Sequence, residues 1–327
     1  MEGSLSLDRV HAPVLVEEVM EGLHCHAGGT YVDCTIGQGG HALRILHANA
    51  PDGLLVGIDR DSQALMAAMD RLHQFGDRLR LVHGNFHELK QQLRSVGISD
   101  VDGVVFDLGV SSAQLSSPER GFSFMVDGPL DMRMDRNVGP TAGDLLNRLS
   151  ESDLANVIFQ YGEERYARRI ARALIRARAQ HPLSTTTELV SLIKRAVPAA
   201  YRHGRIHYAT RTFQALRIAV NGELDGLERV FRDAADALRP GGRLCIISFH
   251  SLEDRIAKHT LRALSQGSDP PIVVITKKPI VPSEMERRAN PRARSAKLRV
   301  AERLVRRERG VPRDRACLGR LRAGGMK

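Results

Sequence analysis

The sequence predicts an α/β protein with a Rossmann-like, mostly parallel sheet and an inserted helical domain. Two observations predict this fold class. Apolar strand patterns alternate with helix-like stretches over the first 110 residues, and a region without strand patterns then separates them from the last strands. The chain has 327 residues, enough for one large or two modest domains with a proper core.

The predicted elements follow in order along the chain. A short amphipathic helix begins near Pro13, since proline is favoured in a first helical turn. Strands are predicted over 30–35, 54–58, 79–83 and 101–108, with helices over 41–49, 64–72 and 89–95. Residues 109–135 are predicted to be a loop and 141–197 to be helical, with Ser150 and Thr185 as capping residues. A long helix over 210–238 and strands over 243–249, 272–276 and 296–301 complete the prediction.

This pattern divides the chain into three regions. Residues 1–110 and 210–305 are expected to form the sheet domain, 111–209 an inserted loop and helical domain, and 306–327 a basic tail. The helix that begins at Thr210 has two faces. Its apolar face is expected to pack on the sheet and consists of Phe213, Leu216, Val220 and Leu224. Its polar stripe is expected to contact a pocket or RNA, although a solvated face explains it as well, and consists of Thr210, Gln214, Arg217 and Asn221.

Charge and composition narrow the class of protein. The net charge is +10, and between Arg287 and Lys327 thirteen Arg and two Lys stand against only Glu302, Glu308 and Asp314. Such a cluster is typical of a polyanion contact, although a solvated tail in an arginine-rich chain also explains it. No membrane span or secretion signal is found, so a cytoplasmic location is expected. The four cysteines are widely spaced, and we expect neither disulfides nor a metal site.

A glycine-rich turn follows the first strand and contains Gly37, Gly39, Gly40 and His41. Such a turn lets backbone N–H groups and a helix N-terminus approach a polar ligand closely. The second strand ends at Asp59, 22 residues after Gly37, where a carboxylate accepts hydrogen bonds from ribose hydroxyls. NAD-dependent enzymes share both features, so a dinucleotide site is a real alternative.

Two further acids favour S-adenosylmethionine over NAD. Asp33 lies four residues before Gly37 and gives the D-x-x-x-G-x-G pattern of class I methyltransferases, and Asp107 ends the fourth strand. Carboxylates repel a pyrophosphate but attract sulfonium and ammonium groups. We therefore predict an S-adenosylmethionine site that includes Asp33, Gly37, Asp59 and Asp107. Phe86, after the third strand, lines the adenine or fills the core.

Ten blocks of sequence, in order from residue 11 to about 300, resemble the MraW/RsmH family. They are His11-x-Pro-Val-Leu, Asp33-x-Thr-x-Gly-x-Gly-Gly-His, Gly57-Ile-Asp-Arg-Asp, Asp107-Leu-Gly-Val-Ser-Ser-x-Gln, Arg120-Gly-Phe-Ser-Phe, Pro129-Leu-Asp-Met-Arg-Met-Asp, Tyr161-Gly-Glu-Glu-Arg, Ala209-Thr-Arg-Thr-Phe-Gln-Ala, Ile247-Ser-Phe-His-Ser-Leu-Glu-Asp-Arg and Asn290-Pro-Arg-Ala-Arg-Ser-Ala. Two positions depart from the family pattern, Ala113 and Tyr208, where the family usually has proline. The residues beyond about 305 lie outside the resemblance.

The resemblance implies a reaction and a partner. Family members use S-adenosylmethionine to methylate N4 of a cytosine in small-subunit ribosomal RNA. The implied partner is therefore the small ribosomal subunit or its RNA. Matched by motif, the family's cofactor contacts correspond to Gly39, Gly40, His41, Asp59, Phe86, Asp107 and Gln114.

The reacting end has several candidate residues. Asp107, Ser111 and Ser112 are candidate acceptors for the cytosine amine, and His250, just after a strand, is a further catalytic candidate. The candidate RNA contacts are Arg120, Arg133, Arg211, Gln214, Arg217 and Asn221, with Arg165, Arg168, Arg169 and Arg172 for phosphates. The aromatic ring that stacks on the base is left open among Phe122, Phe124 and Phe249.

Three other functions compete with this interpretation. An NAD-dependent oxidoreductase would explain the glycine turn, and a non-catalytic RNA-binding protein would explain the basic tail. A DNA amino-methyltransferase is chemically closer, and only the family resemblance argues against it. A homodimer is compatible with the sequence, which does not itself indicate one.

Overall fold

The structure is a computed structural model that describes residues 13–305. The predicted basic tail over 306–327 and the first residues of the His11 block lie outside the described residues.

A seven-stranded sheet forms the centre of the protein. Its strands are β1 Thr30–Asp33, β2 Leu54–Asp59, β3 Leu79–His83, β4 Val101–Asp107, β5 Leu238–Ser248, β6 Ile272–Val274 and β7 Lys297–Arg303. Their order is β3-β2-β1-β4-β5-β7-β6. The first five strands pair in parallel, and β7 runs antiparallel to both β5 and β6. The predicted fold class, a mostly parallel Rossmann-like sheet with inserted helices, is confirmed.

Fourteen α-helices surround or extend this sheet within the described residues. They are α1 Val16–Leu23, α2 Gly40–Ala48, α3 Ser62–Leu72, α4 Leu89–Ser95, α5 Ser112–Ser116, α6 Ala142–Arg148, α7 Glu151–Gly162, α8 Ala167–Arg178, α9 Thr186–Ala196, α10 Ala199–Arg202, α11 Thr210–Asn221, α12 Leu227–Ala237, α13 Ser251–Leu264 and α14 Glu284–Ala289. None of these helices is both long and apolar enough to cross a membrane.

The sheet is buried on both faces, as expected for parallel strands joined by helical crossovers. One apolar core joins the strands to α4, α12 and α13, with Phe106 and Phe231 in edge-to-face contact at 5.3 Å between ring centroids. The other core joins the strands to α1, α2 and α3 and includes Leu23, Ile45 and Leu72. The two cores fix the carboxyl ends of β1, β2 and β4 at one edge of the sheet.

The inserted helices have a third apolar core of their own. It includes Leu146, Ile158, Ile170 and Leu189 from α6 to α9. Helix α11 belongs to this core through Phe213 and Leu216, so the expectation that these two side chains pack on the sheet is wrong. The physical reason is close packing of α11 on α7, where a Cβ at Gly162 would lie only 2.5 Å from the Arg211 carbonyl oxygen. Val220 packs on the same core, and only Leu224 contacts the sheet core.

Three sequence predictions of secondary structure need correction. The segment 109–135, predicted to be a loop, contains the short helix α5, which begins at a capping box formed by Ser111 and Gln114. The helix expected over 210–238 is broken between α11 and α12, because Gly222 and Gly226 adopt positive φ angles of 58° and 71°. Strand β5 begins at Leu238 rather than at 243, so that the Pro240-Gly241-Gly242 segment lies inside the strand. Long-range pairing with β4 decides this boundary, and local turn signals do not reveal it.

Candidate functional site

The glycine turn between β1 and α2 lies beside a cleft at the carboxyl ends of the parallel strands. Gly37, Gly40 and His41 line this cleft, and Gly39 lies just behind it. Gly39 has φ 79°, and a Cβ there would lie 2.8 Å from Leu72 Cδ1. A Cβ at Gly40 would lie 2.9 Å from Pro13 Cγ. Only glycine fits both positions, so the turn presents bare backbone to the cleft.

Asp59 closes the second side of the cleft at the carboxyl end of β2. Its Oδ2 accepts the Gly37 N–H at 2.9 Å, and its Oδ1 accepts the Asp61 N–H at 2.9 Å. Burial raises the pKa of this carboxyl above its ordinary value. The two backbone N–H groups hold the side chain in one orientation, and it remains part of the cleft lining.

Asp33 lies beneath the turn rather than in the cleft. It is 1% exposed and accepts the Thr35 N–H at 3.1 Å. Burial raises its pKa from 3.8 to about 7, against the opposing effect of a charged His41, while Asp107 and Asp59 add to the rise. The carboxyl groups of Asp33, Asp59 and Asp107 therefore interact electrically, although Asp33 is not among the residues that line the cleft. A direct contact between Asp33 and a ligand is not supported by this position.

Asp107 ends β4 at the centre of the cleft. Its backbone N–H donates to Thr35 Oγ1 at 2.7 Å, which fixes the strand end. Its Oδ2 lies 3.6 Å from His41 Nε2, and its Oδ1 is buried without a hydrogen-bond partner. Burial disfavours the charged form of His41, but Asp107 outweighs this effect and raises the pKa of His41 above 6.5. The unpartnered Oδ1 is an acceptor available to a bound molecule.

The segment after β4 wraps the third side of the cleft. Ser111 and Gln114 form a capping box for α5, with Ser111 Oγ accepting the Gln114 N–H at 3.2 Å. The Gln114 amide donates to Asp61 Oδ2 at 2.8 Å. Ser111, Ser112 and Gln114 all line the cleft, as does Phe86 after β3. The structure therefore places these four predicted residues around one site.

Arg120 does not have the environment of an RNA contact. It is 3% exposed, and its Nη2 lies 2.9 Å from Asp61 Oδ2. It also donates to Gln63 Oε1 at 3.0 Å and to the backbone oxygens of Arg133 and Met134. Burial therefore contradicts the predicted RNA contact, and the arginine instead joins the loop after β4 to α3.

Four more of the predicted RNA contacts are engaged inside the protein. Arg133 donates to both oxygens of Asp131, and Arg217 donates to both oxygens of Glu223 at 2.8 Å. The Gln214 amide donates to the Tyr161 carbonyl. Asn221 accepts the Met134 N–H and donates to the Met132 carbonyl. Arg133 is thus tied to its own loop and the other three side chains tie α11 to its neighbours, while their contact with RNA stays a prediction.

Arg211 differs from these four residues. It donates to the Glu163 carbonyl oxygen at 2.9 Å and also lines a separate surface pocket. Of the six side chains predicted to contact RNA, it is the one that the described surface leaves available in a concave pocket.

His250 is the N-terminal cap of α13 and lies outside the cleft lining. Its Nδ1 accepts the Glu253 N–H at 3.4 Å, and its Nε2 lies 3.2 Å from Glu253 Oε1. The side chain is 8% exposed. The position of His250 therefore does not support contact with the substrate.

Glu223, His250 and Glu253 form the one group of potential metal ligands found among residues 13–305, with ligand atoms within 4.8 Å of one another. The guanidinium of Arg217 already neutralises Glu223. Glu223, His250 and Glu253 therefore form a charge network with Arg217 at the wall of the cleft.

The three aromatic candidates occupy different environments. Phe122 is 5% exposed in the core of the insertion. Phe124 stacks on His207 with ring centroids 4.7 Å apart. Phe249 lines the cleft at the carboxyl end of β5. Phe249 is thus the one of the three rings that faces the site.

Sequence reasoning missed several residues of the cleft wall, namely Arg60, Glu223, Glu253, Asn290 and Arg292. Arg60 donates to the Asn221 carbonyl oxygen, and Arg292 donates to the Ser112 carbonyl oxygen at 3.2 Å. Arg60 directly follows Asp59, and Arg292 belongs to the Asn290 block, so both lay in noted motifs. Nothing local in the sequence, however, shows which distant backbone they reach.

The chain is similar to known proteins over most of its length. A family model described as the MraW methylase family matches residues 8–304. The chain is 51% identical over 308 residues to "Ribosomal RNA small subunit methyltransferase H" of Pelobacter propionicus, covering 90% of this chain and 98% of that protein. It is 52% identical over 307 residues to the protein of the same name from Geobacter sulfurreducens, covering 90% and 99%. These similarities extend over nearly the full length of both relatives.

Proposed function

The chain belongs to the MraW methylase family, and we propose that it transfers a methyl group from S-adenosylmethionine to the exocyclic N4 of a cytosine in small-subunit ribosomal RNA. Its fold is that of a class I methyltransferase, in which ligands bind at the carboxyl ends of the parallel strands. The cleft described above lies at those ends.

One observation supports the donor most strongly. Asp59 and Asp107 line the cleft with Asp33 beneath it, and Asp107 Oδ1 is a buried acceptor without a partner. Such a set of carboxyl groups attracts the sulfonium and ammonium groups of S-adenosylmethionine and repels the two phosphates of a dinucleotide. The residues present therefore fit the proposed donor, and they argue against an NAD-dependent oxidoreductase.

We assign the donor contacts by position. Asp59 would accept hydrogen bonds from the ribose hydroxyls, and the backbone at Gly37 and Gly40 would face the donor closely. Phe86 would lie against the adenine, and Gln114 and His41 would complete the wall. When bound, S-adenosylmethionine supplies a methyl group on a positively charged sulfur, which makes that carbon electrophilic.

Asp107 is the proposed residue for positioning the amine. The amino group of cytosine is a weak nucleophile because its lone pair is delocalised into the ring. A carboxylate that accepts a hydrogen bond from the N–H₂ group orients the nitrogen and receives the proton that the nitrogen releases. Ser111 and Ser112, beside Asp107 in the cleft, are the second candidates for this contact.

The base must leave its stack to reach Asp107. An amine inside a helix cannot reach the bottom of a cleft, so the target cytosine must be unpaired or flipped out. Phe249 is the proposed stacking surface, because its ring faces the cleft beside Asp107 and Gly109. Residues 1–110 and 222–305 would then supply most of the donor contacts, and the insertion together with α11, which packs on its core, would bind RNA.

The proposed partner is the small ribosomal subunit or its RNA, which also implies a cytoplasmic location. Exposed arginines on α8, namely Arg168, Arg169 and Arg172, are proposed phosphate contacts. Arg172 lies 3.3 Å from Glu151, so its contribution is partly neutralised.

Labelled methyl transfer tests the proposal. The purified protein is incubated with tritiated S-adenosylmethionine and, in parallel, small ribosomal subunits, naked small-subunit ribosomal RNA or DNA. Mass spectrometry of the digested product should find N4-methylated cytidine from one of the two RNA substrates and no methylation of DNA. Transfer to DNA alone contradicts the proposed substrate, and no transfer at all with tight RNA binding indicates a non-catalytic RNA-binding protein.

A further inference from the structure

We propose that a second pocket, formed by Arg165, Tyr201, Arg205 and Arg211, binds a backbone phosphate of the RNA next to the target nucleotide. We call it the basic pocket. The inference rests on the proposed function and adds to it a binding site for a phosphodiester group. The basic pocket lies where α10, the segment that follows it and the start of α11 meet the segment between α7 and α8.

The positive charge of the basic pocket is only partly offset by neighbouring acids, since the charge of Arg211 also acts on the Glu163 carboxylate. Three arginines and no carboxylate line it among the described residues. The two adjacent acids are engaged elsewhere. Glu163 accepts from Ser251 Oγ at 2.5 Å and from Arg255 Nη2 at 2.9 Å. Glu164 is fully buried and accepts from the Tyr201 hydroxyl at 2.5 Å. The pocket therefore attracts an anion.

Two of the three arginines, Arg165 and Arg211, are already held in position. The Arg165 guanidinium lies over two aromatic rings, 4.8 Å from the centroid of Tyr166 and 4.9 Å from that of Tyr201. These rings pack edge to face at 4.9 Å, and Glu164 fixes them by accepting the Tyr166 N–H at 2.8 Å. Arg211 is fixed by its bond to the Glu163 carbonyl oxygen. Little side-chain entropy is therefore lost when an anion binds.

The basic pocket is connected to the cleft through Glu163. This residue contacts Arg211 through its backbone oxygen and Ser251 through its side chain. Ser251 is two residues beyond Phe249, the aromatic ring that faces the cleft. The basic pocket thus lies beside the carboxyl end of β5. A nucleotide flipped into the cleft needs its flanking phosphates held outside it, and this is a suitable position.

The chemistry of the pocket favours a phosphodiester of RNA over a free anion. Arginine binds phosphate oxygens through two parallel N–H groups, which fixes the direction of the strand. Ile206, 42% exposed, and the Tyr201 ring add an apolar wall against which a sugar or base can pack. A small inorganic anion would leave this wall unused.

The test compares RNA affinity in the full chain. The double variant Arg165→Gln/Arg205→Gln removes two charges and leaves Arg211, whose bond to Glu163 supports the local backbone. Fluorescence anisotropy with a labelled small-subunit RNA fragment should show the Kd rise at least about tenfold near 0.15 M salt. The slope of log K against log salt should fall by about one to two. The KM for RNA should rise while kcat at saturating RNA stays near that of the wild type.

The matched control is Arg94→Gln, an exposed arginine on α4 that lines neither the cleft nor the basic pocket. It should leave the Kd and the salt slope unchanged. Calorimetry should find the same S-adenosylmethionine affinity in all three proteins, which excludes misfolding of the double variant.

The failures of the two proposals can be told apart. If the wild type binds and methylates RNA and the double variant binds it equally tightly with the same salt slope, the basic pocket proposal is overturned and the proposed function stands. If inorganic phosphate, at matched ionic strength, is the only ligand that the wild type binds more tightly than the double variant, the pocket is a small-anion site. The basic pocket proposal is then likewise overturned. If the wild type neither binds nor methylates RNA, the proposed function fails as well.

Discussion

The Nε2 atom of His41 lies 3.6 Å from Oδ2 of Asp107, and the imidazole is only 4% exposed. This pair joins the first residues of α2 to the end of β4. The other carboxylate oxygen of Asp107, Oδ1, is thereby oriented into a buried position where it has no hydrogen-bond partner. The buried imidazole therefore orients the one acidic side chain that we place against the reacting amine.

Replacing Asp107 by asparagine should nearly abolish methyl transfer. The amide keeps the size of the carboxyl group but accepts the amine hydrogen more weakly and cannot take up its proton. We expect kcat to fall at least about 100-fold, the usual range for loss of such a group. Single-turnover transfer from labelled S-adenosylmethionine measures it. The matched control is Asp100→Asn, an exposed acid just before β4, which should keep wild-type activity. Wild-type rates in Asp107→Asn would contradict the assignment.

Asp33 should make the ligand-free protein less stable as the pH rises. Burial raises its pKa from 3.8 to about 7, so the folded state holds this proton more tightly than the unfolded chain. The contribution of Asp33 to stability therefore falls between about pH 4 and pH 7 and stays low above pH 7. In Asp33→Asn this penalty is absent, and the amide oxygen can still accept the Thr35 N–H.

Denaturant unfolding at pH 5 and pH 8 measures this effect. Relative to the wild type, Asp33→Asn should be more stable at pH 8 than at pH 5 by at most about 3 kcal/mol, because part of the penalty of the raised pKa is already present at pH 5. The control Asp100→Asn should differ from the wild type in unfolding free energy by the same amount at pH 5 and at pH 8. An identical pH dependence in Asp33→Asn and the wild type would rule out a raised pKa at Asp33.

Gly39 tests the backbone turn. Alanine there would adopt a strained positive φ of 79° and place its Cβ 2.8 Å from Leu72 Cδ1. We expect Gly39→Ala to weaken S-adenosylmethionine binding at least about tenfold, because the strain of about 1–2 kcal/mol and the contact both displace the turn. Gly97→Ala is the control, since it has φ 72° but no neighbour within 4 Å. Gly97→Ala should lose an amount of unfolding free energy similar to that lost by Gly39→Ala. It should still bind S-adenosylmethionine as tightly as the wild type in a calorimetric titration.

Arg120 separates a structural role from an RNA contact. Its ion pair with Asp61 is buried, with side chains 4% and 6% exposed, so Arg120→Ala leaves an unpaired carboxylate inside the protein. We expect a loss of about 3–5 kcal/mol of unfolding free energy. The comparison is Arg148→Ala, which removes a 79% exposed partner of Asp144 and should cost less than about 1 kcal/mol. If Arg120→Ala keeps the unfolding free energy of the wild type but binds RNA more weakly, the result would instead support the prediction that Arg120 contacts RNA.

The sequence was most informative where the chemistry is local. Gly37, Asp59 and Asp107 lie at strand ends or at the turn between a strand and a helix, and alternating patterns predict such points well. The structure brings them to one cleft. Element bounds were less accurate, as the break after Asn221 shows, because several glycines in one segment do not reveal which adopts a positive φ.

Pairing between distant segments could not be predicted. Arg120 and Arg217 were expected to be free for RNA, but Asp61 and Glu223 neutralise them. Spacing along a helix shows which face a side chain occupies, and it does not show what the next segment places opposite. Arg211 lies on the same helix as Arg217, but its hydrogen bond goes to the Glu163 backbone oxygen, and its side chain also lines the basic pocket.

Calorimetric titration of the ligand-free protein most directly tests the central claim, which is that Asp59 and Asp107 line a cleft that binds a positively charged donor. S-adenosylmethionine should bind with one-to-one stoichiometry. S-adenosylhomocysteine, which lacks the sulfonium charge, should bind more weakly than S-adenosylmethionine, and the difference should be largest at low salt. NAD should give no heat of binding. Tight binding of NAD with no binding of S-adenosylmethionine would contradict the account.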